Sequence, residues 1–326
     1  MFSSEVLRID APQVAARIEE AIRAQVLTSL RRRGIVVGVS GGIDSSVVTT
    51  LAARALGPTK VLALLMPERD SSSDSAQLGR LLTTALGVPT IVEELSEILQ
   101  AAGCYRRQNE AIRTVFPDFA DEDRFKITLP SILDGDRLNV SELTIQRPDG
   151  TQATARMPLA AYLQMIAATN FKQRFRKLME YYHADRLNYA VAGTPNRLEY
   201  DQGFFVKQGD GAADLKPIAH LYKSQVYALA EYLGVPAEIR KRPPTTDTFS
   251  LPQTQEEFYF ALPYDKMDLC LYARNNNVSA AEAAPAVGLT PEQVERVFKD
   301  IDQKRRTTKY LHARPLLVEH VSEIMT

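Results

Sequence analysis

Apolar residues return every fourth position near the start of the chain. Val14, Ile18, Ile22, Val26 and Leu30 form one stripe, with Asp10 placed to cap a helix and Pro12 in its first turn. Arg31, Arg32 and Arg33 then set cations at the negative end of the helix dipole, and Gly34 is expected to stop the helix. The period changes next. Ile35 to Val39 is short, β-branched and apolar on both faces, as a central parallel strand covered by helices requires. A Gly-rich turn leads to a helix from about Ser45 to Leu56, stopped by Gly57 and Pro58. Val61 to Met66 repeats the buried-strand pattern, Ser75 to Leu86 reads as a helix, and Val88 to Val92 as a third strand. Strands alternating with helices predict βαβ units and an α/β, doubly wound parallel sheet.

The regularity breaks after Leu99. From about Phe116 to Pro158 the chain is mixed: Leu138 to Gln146 alternates like a strand, and Pro148, Asp149 and Gly150 form a turn before a second short strand. This predicts a hairpin insertion at about 116–158, longer than ordinary connections between elements. Helical pattern resumes through Met179, Tyr189 to Ala192 reads as a fourth core strand ending at Gly193, and Tyr222 to Leu233 as another helix. The segment from about 264 to 326 is helical, with predicted capping boxes at Ser279 with Glu282 and at Thr290 with Pro291 and Gln293. Two short helices around Gly288 can mimic a DNA-binding helix-turn-helix, but the charge balance favours a packing or dimer element.

Composition narrows the class. The 326 residues are 45% hydrophobic and 24% charged, with a formal net charge of -1. That balance advertises neither a nucleic-acid nor a membrane partner. Length suffices for a core without metal or disulfide staples, and Cys104 and Cys270 have no redox or metal spacing. No signal-peptide apolar region or membrane-length run is present, so a cytoplasmic location is expected.

The strongest chemical signal is GVSGGIDSS, Gly38 to Ser46, between a buried strand and a helix. Gly41 and Gly42 let backbone N–H groups converge, Ser40, Ser45 and Ser46 add hydroxyls, and the helix N-terminus adds positive potential, which together cradle phosphate. The loop is neither a Walker A loop nor a G-x-G-x-x-G turn. A carboxylate beside phosphates is repulsive without a divalent cation between them, so Asp44 implies magnesium.

The S-G-G-x-D-S-S string resembles the pyrophosphate loop of the N-type ATP pyrophosphatases, which cleave ATP between its α and β phosphates and transfer AMP. The stretch from Gly193 to Val226 closely resembles the NAD synthase signature. Gly193, Thr194, Asn196 and Glu199 match its first part, Lys207, Gly209, Asp210 and Gly211 its second, and Pro217, Ile218, Leu221, Tyr222 and Lys223 its third. The resemblance runs from about Gly34 to Pro315 except the insertion, and implies one NAD synthase-like domain over residues 1–326 with an adenine nucleotide alpha hydrolase-like, Rossmann-like fold. It implies an ammonia-dependent ligase that adenylates the carboxylate of deamido-NAD with ATP, releases pyrophosphate, and lets ammonia displace AMP. It further implies a homodimer.

Site roles follow residue by residue. Ser40, Gly41, Gly42, Asp44, Ser45, Ser46, Met66, Thr194, Lys223 and Thr245 are the expected ATP contacts, with Asp44, Lys223 and Thr245 catalytic and Asp44 with Glu199 holding magnesium. Asn170, Arg174, Lys207, Asp210, Asp214 and Lys309 are the expected contacts to the dinucleotide. Arg176 reads equally as a phosphate clamp or a surface charge. Pro244, Thr245 and Asp247 match the family's mobile substrate loop, and Lys304 to Pro315 its Lys-Arg-rich closing segment. Departures from the family lie at Leu64 to Met66, apolar where a basic residue can stand, and at Thr307 and Thr308. Adenine must then be held by backbone and packing. The insertion precedes the substrate arginine, so a ligase for another carboxylate is the alternative, and a turnover-deficient nucleotide-binding regulator a remoter one. His183 and His220 read as structural, and free ammonia is the expected nitrogen donor because neither cysteine sits in a nucleophile context.

Overall fold

A computed structural model describes residues 2–129, 141–246 and 248–324. In chain order the elements begin with α1 (Ala11–Arg23), β1 (Ile35–Gly38), α2 (Ile43–Leu56), β2 (Val61–Leu65), α3 (Ser73–Leu86) and β3 (Thr90–Val92). There follow α4 (Ser96–Ala101), α5 (Cys104–Arg113), β4 (Arg124–Thr128), β5 (Glu142–Gln146), β6 (Gln152–Arg156), α6 (Leu159–Leu187) and β7 (Ala190–Ala192). The rest is helical: α7 (Arg197–Gln202), α8 (Lys223–Tyr232), α9 (Ala237–Lys241), α10 (Tyr264–Asn275), α11 (Ala280–Val287) and α12 (Pro291–His312).

Four strands form a parallel sheet in the order β3-β2-β1-β7. Alternate side chains leave by opposite faces. Ile35, Val37, Val61, Ala63, Leu65, Ala190 and Ala192 join a core with α1, α2 and α8, while Val36, Leu62, Leu64 and Val191 pack with Ala184 of α6. Helices therefore cover both faces, which is why these strands read as unbroken apolar runs. Two strands, β2 and then β3, add on one side of β1, and the next, β7, joins on the other. That reversal opens a crevice at the carboxyl ends of β1 and β7, where open α/β sheets bind ligands.

Some local expectations are corrected. The first helical run ends because Arg31 itself adopts φ 51°, while Gly34 lies at the start of β1. A Cβ at Gly34 would fall 2.3 Å from the Lys60 carbonyl oxygen and 2.6 Å from the Tyr189 ring, so close packing requires this glycine. Helix α2 begins at Ile43, which places Asp44 and Ser45 in its first turn. The predicted Ser279 box is half made, since Ser279 accepts from the Glu282 amide but only Thr290 and Gln293 bond reciprocally.

A second sheet, antiparallel and ordered β4-β5-β6, stands apart from the first. Its β5–β6 hairpin turns at Gly150, with φ 87°, and Asp149 accepts from the Thr151 amide at 2.9 Å. Leu138 to Val140, the start of the predicted strand, lies outside the described residues. The inner face of this sheet packs Phe125, Ile127, Leu143 and Ile145 against Phe249, from a loop more than a hundred residues later. The C-terminal helices α10–α12 share a further core with Phe2 and Leu7. Among the described residues no helix is long and apolar enough to cross a membrane.

Candidate active site

The turn from β1 to α2 is shaped by one obligatory glycine. Gly41 has φ 72°, and a Cβ there would sit 2.5 Å from the Ser75 carbonyl oxygen. The Ser45 hydroxyl donates to the Gly42 carbonyl at 3.1 Å and lies 3.2 Å from the Ser40 hydroxyl, which accepts from the Gly42 amide at 3.3 Å. The loop is thus tied to itself over the N-terminus of α2, whose dipole favours an anion there. Ser40, Gly42, Asp44 and Ser45 line a cavity of about 610 Å³. Gly41 and Ser46 are not on its wall: Ser46 is fully buried and its hydroxyl donates to the Gly42 carbonyl at 2.8 Å. Their part is to hold the loop's shape.

Behind the loop lies a charged cluster drawn from three segments. Asp44 forms a short ion pair with Lys223, the first residue of α8, and its other oxygen accepts from the Asn196 side chain at 3.0 Å. Asn196 caps α7 in a capping box whose partner is Glu199, whose carboxylate accepts the Asn196 amide at 3.1 Å and the Gln255 side chain at 3.0 Å. Burial and then the neighbouring Asp44 push Glu199 up to about 7, against the pull of Lys223. Burial alone would lower the Lys223 ammonium, but the carboxylates of Asp44 and Glu199 outweigh it and raise it. Two carboxylates thus share one lysine. With that surplus of negative charge, Asp44 and Glu199 are the residues here that could hold a divalent cation. Among the described residues there is no group of three or more acidic, His or Cys side chains that could hold a metal by itself.

Met66, Thr194 and Thr245 line the same cavity, with Leu64 and Leu65 giving an apolar slot at the end of β2. Arg176, ambiguous in sequence, is on the wall too: its guanidinium donates to the Met66 carbonyl at 3.4 Å and to the Ser71 hydroxyl at 3.3 Å. Two residues went unnoticed in sequence. Arg242, just before Pro243 and Pro244, lines the cavity and donates to Ser75 at 3.0 Å. Asp268 accepts the Lys223 amide at 3.1 Å and the Ser224 amide at 2.7 Å, holding the start of α8, and burial pushes it up to about 6. The adjacency of Arg242 to the Pro-Pro-Thr loop was a readable signal; nothing local marked Asp268.

Of the expected dinucleotide contacts, Asn170, Arg174, Lys207 and Asp210 line the cavity, while Asp214 and Lys309 do not. Arg174 donates to the Lys207 carbonyl at 3.3 Å, and the Lys207 ammonium donates to the Tyr310 carbonyl at 2.8 Å and the Ala313 carbonyl at 3.3 Å. The end of α12 is thereby drawn to the cavity rim, where Thr307, Thr308, Tyr310 and Leu311 face inward. Lys309 falls on the exposed side of that helix turn. Asp210 accepts the Val206 amide at 2.9 Å, and burial raises its pKa. Asp214 has a different task. β7 is an edge strand, and Asp214 caps it: its carboxylate accepts the Val191 amide at 2.7 Å while its own amide donates to the Val191 carbonyl at 2.9 Å. An edge N–H otherwise buried without a partner explains that use.

Comparison with known proteins follows the same lines. The NAD synthase family model matches residues 14–123 and 136–310. An NH(3)-dependent NAD(+) synthetase of Mesorhizobium japonicum is 61% identical over 318 residues, covering 98% of this chain and 100% of that protein. One from Thermotoga neapolitana is 37% identical over 271 residues, covering 83% and 85%. In fold, the chain is similar to the NMN synthetase of Francisella tularensis, with TM-score 0.65 at 20% identity, covering 96% of this chain and 100% of that one. On the family match and these identities, the chain belongs to the NAD synthase family.

Proposed function

We propose that this protein is an ammonia-dependent NAD synthetase, a ligase forming a C–N bond. The nicotinate carboxylate of deamido-NAD attacks the α-phosphorus of ATP, the bond to the β-phosphate breaks, and pyrophosphate leaves. Ammonia then attacks the adenylated carboxyl carbon, AMP departs with the bonding electron pair, and a proton is lost from nitrogen, giving NAD.

The observation that carries this reading is the meeting of the Gly38–Ser46 loop with Asp44, Glu199 and Lys223 at the carboxyl edge of the sheet. In it, loop amides and Lys223 hold the β and γ phosphates, Thr245 approaches them from across the cavity, and Met66 with Leu64 and Leu65 encloses adenine. Asp44 and Glu199 would hold magnesium, which neutralises charge developing on the leaving pyrophosphate. Arg174, Lys207 and Asp210 orient the dinucleotide. Positioning and charge neutralisation do the work, and no side-chain nucleophile is required. Free ammonia as donor agrees with the cysteines: both are buried, and burial pushes Cys104 up to about 11 and Cys270 up to about 12, leaving neither as a nucleophile for glutamine hydrolysis. Reduced buried thiols also suit the cytoplasm, and the exposed Leu159, Leu163, Leu178 and Tyr182 on α6 suit a homodimer.

The test is turnover with ATP, magnesium, ammonia and deamido-NAD, scored for NAD, AMP and pyrophosphate together. Equal amounts of all three, dependent on each substrate, are expected. Pyrophosphate release with another carboxylic acid but none with deamido-NAD would replace this reading with a ligase of different acceptor.

A further inference from the structure

The loop that carries Thr245 meets the catalytic cluster through Gln255, which donates to Glu199 at 3.0 Å, and it is anchored from two further directions that do not touch that cluster. On one side stands Lys172 of α6, fully buried. Its ammonium donates to the Thr248 carbonyl at 2.8 Å and to Asp70 at 2.6 Å, and faces Glu68 as an ion pair at 3.0 Å. Glu68 in turn accepts the Tyr105 hydroxyl at 2.8 Å, so the network draws in α5 and the segment following β2. A lysine with no exposure is costly to desolvate and persists only where several acceptors surround it. Here one of those acceptors is the backbone of the Thr245 loop.

On the other side stands β4. The Phe125 amide donates to the Ser250 hydroxyl at 2.9 Å, the Leu251 amide to the Phe125 carbonyl at 3.0 Å, and the Leu129 amide to the Glu257 carbonyl at 2.9 Å. The Arg124 guanidinium donates to the Ser250 carbonyl at 2.8 Å, and the Gln253 side chain, buried, to the Ile127 carbonyl. Phe249 and Phe258 enter the apolar core beneath the sheet. The loop closes on itself by the Thr245–Thr254 bridge. The family model passes over residues 124–135, and β4 occupies Arg124–Thr128 within that unmatched stretch.

We propose that Lys172 and β4 are positioning elements that hold the Thr245 loop in its working place over the phosphate site before ATP binds, with β4 lying in a stretch that the general family pattern does not cover. This rests on the assignment of Thr245 to the ATP phosphates. The loop's ordering entropy is then met on folding rather than on each binding event, and the antiparallel sheet serves the ATP half of the reaction.

Hydrogen exchange on the ligand-free protein should show the amides of Thr246, Leu251 and Gln255 protected, in keeping with their bonds to Gln253, Phe125 and Pro244. Two variants loosen the anchors: Ser250→Ala with Gln253→Ala for β4, and Lys172→Met with Glu68→Gln and Asp70→Asn, which leaves no unpaired buried charge. Each should speed exchange of these amides about tenfold and lower kcat about tenfold or more, with the KM for ATP within about threefold. If the anchors act through Thr245, adding Thr245→Ala to either variant costs much less than it costs the wild type. Unchanged exchange, or a Thr245→Ala penalty of the same factor in every background, overturns the proposal. Should the triple variant fail to fold, the Ser250/Gln253 pair decides. A wild type inactive on deamido-NAD would sink the functional reading while leaving the exchange result to judge the anchoring.

Discussion

The two halves of the cavity are built differently. On the phosphate side the groups come from one strand–turn–helix and from side chains locked to each other: Asp44 to Lys223 and Asn196, Glu199 to Asn196 and Gln255. On the acceptor side Arg174, Lys207 and Asp210 come from α6 and a loop, and they bond mostly to backbone, Arg174 to the Lys207 carbonyl, Lys207 to the end of α12, Asp210 to the Val206 amide. The first half is a closely paired cluster of opposite charges. The second is two cations and a carboxylate whose bonds to backbone hold the cavity rim together.

The largest effect should come from Asp44→Asn. Its carbonyl oxygen can still accept from Asn196, so the fold is retained, while turnover falls about a thousandfold; AMP production near the wild-type rate would remove Asp44 from the mechanism. Glu199→Gln should cost about a hundredfold at pH 8 and change the pH profile. The folded Glu199 keeps its proton to about pH 7 against an ordinary 4.5, so between those values the unfolded chain binds fewer protons and stability falls as pH rises. ATP with its cation needs the ionised form, so kcat/KM for ATP should climb with pH up to about 7 and flatten above it. Glu199→Gln should lose that climb and also lose the stability decline seen by calorimetry over the same window. A wild-type profile flat from pH 5 to about pH 8 would contradict the assigned role.

Lys207→Ala probes the other half. The KM for deamido-NAD should rise about tenfold with the KM for ATP within about twofold; the reverse pattern would mean the halves are interchanged. The smallest effects on catalysis belong to Asp214→Ala and Lys309→Ala. Asp214→Ala should lower stability by about 1 kcal/mol, because the Val191 amide loses its partner, and leave both KM values unchanged. Lys309→Ala should be silent in stability and kinetics alike. A selective rise in dinucleotide KM for either would put it back at the site.

The sequence was informative in proportion to how local each feature was. Strands β1 and β2 announce themselves because both their faces are buried, and the Gly41 turn because its backbone admits little else there. The spacing from Asn196 to Glu199 reads directly because one capping box makes it. Ser46 and Asp214 lie in the matched motifs, yet Ser46 bonds within its own loop and Asp214 to β7, since a motif fixes which residues are near a site and not which way each side chain turns. Lys309 lies off the cavity wall for the same reason, one helix position away from Tyr310 on the rim.

By itself, then, the sequence determined the doubly wound sheet, the glycine turn between β1 and α2 and the family, because apolar period, glycine geometry and motif spacing are properties of contiguous residues. Only the tertiary structure decided that Asp44 shares Lys223 with Glu199, that α12 is drawn to the cavity rim by Lys207, and that β4 and Lys172 grip the Thr245 loop. Those contacts join segments far apart in the chain. Which distant groups meet is set by how helices and sheets pack around their cores, and no local pattern encodes it.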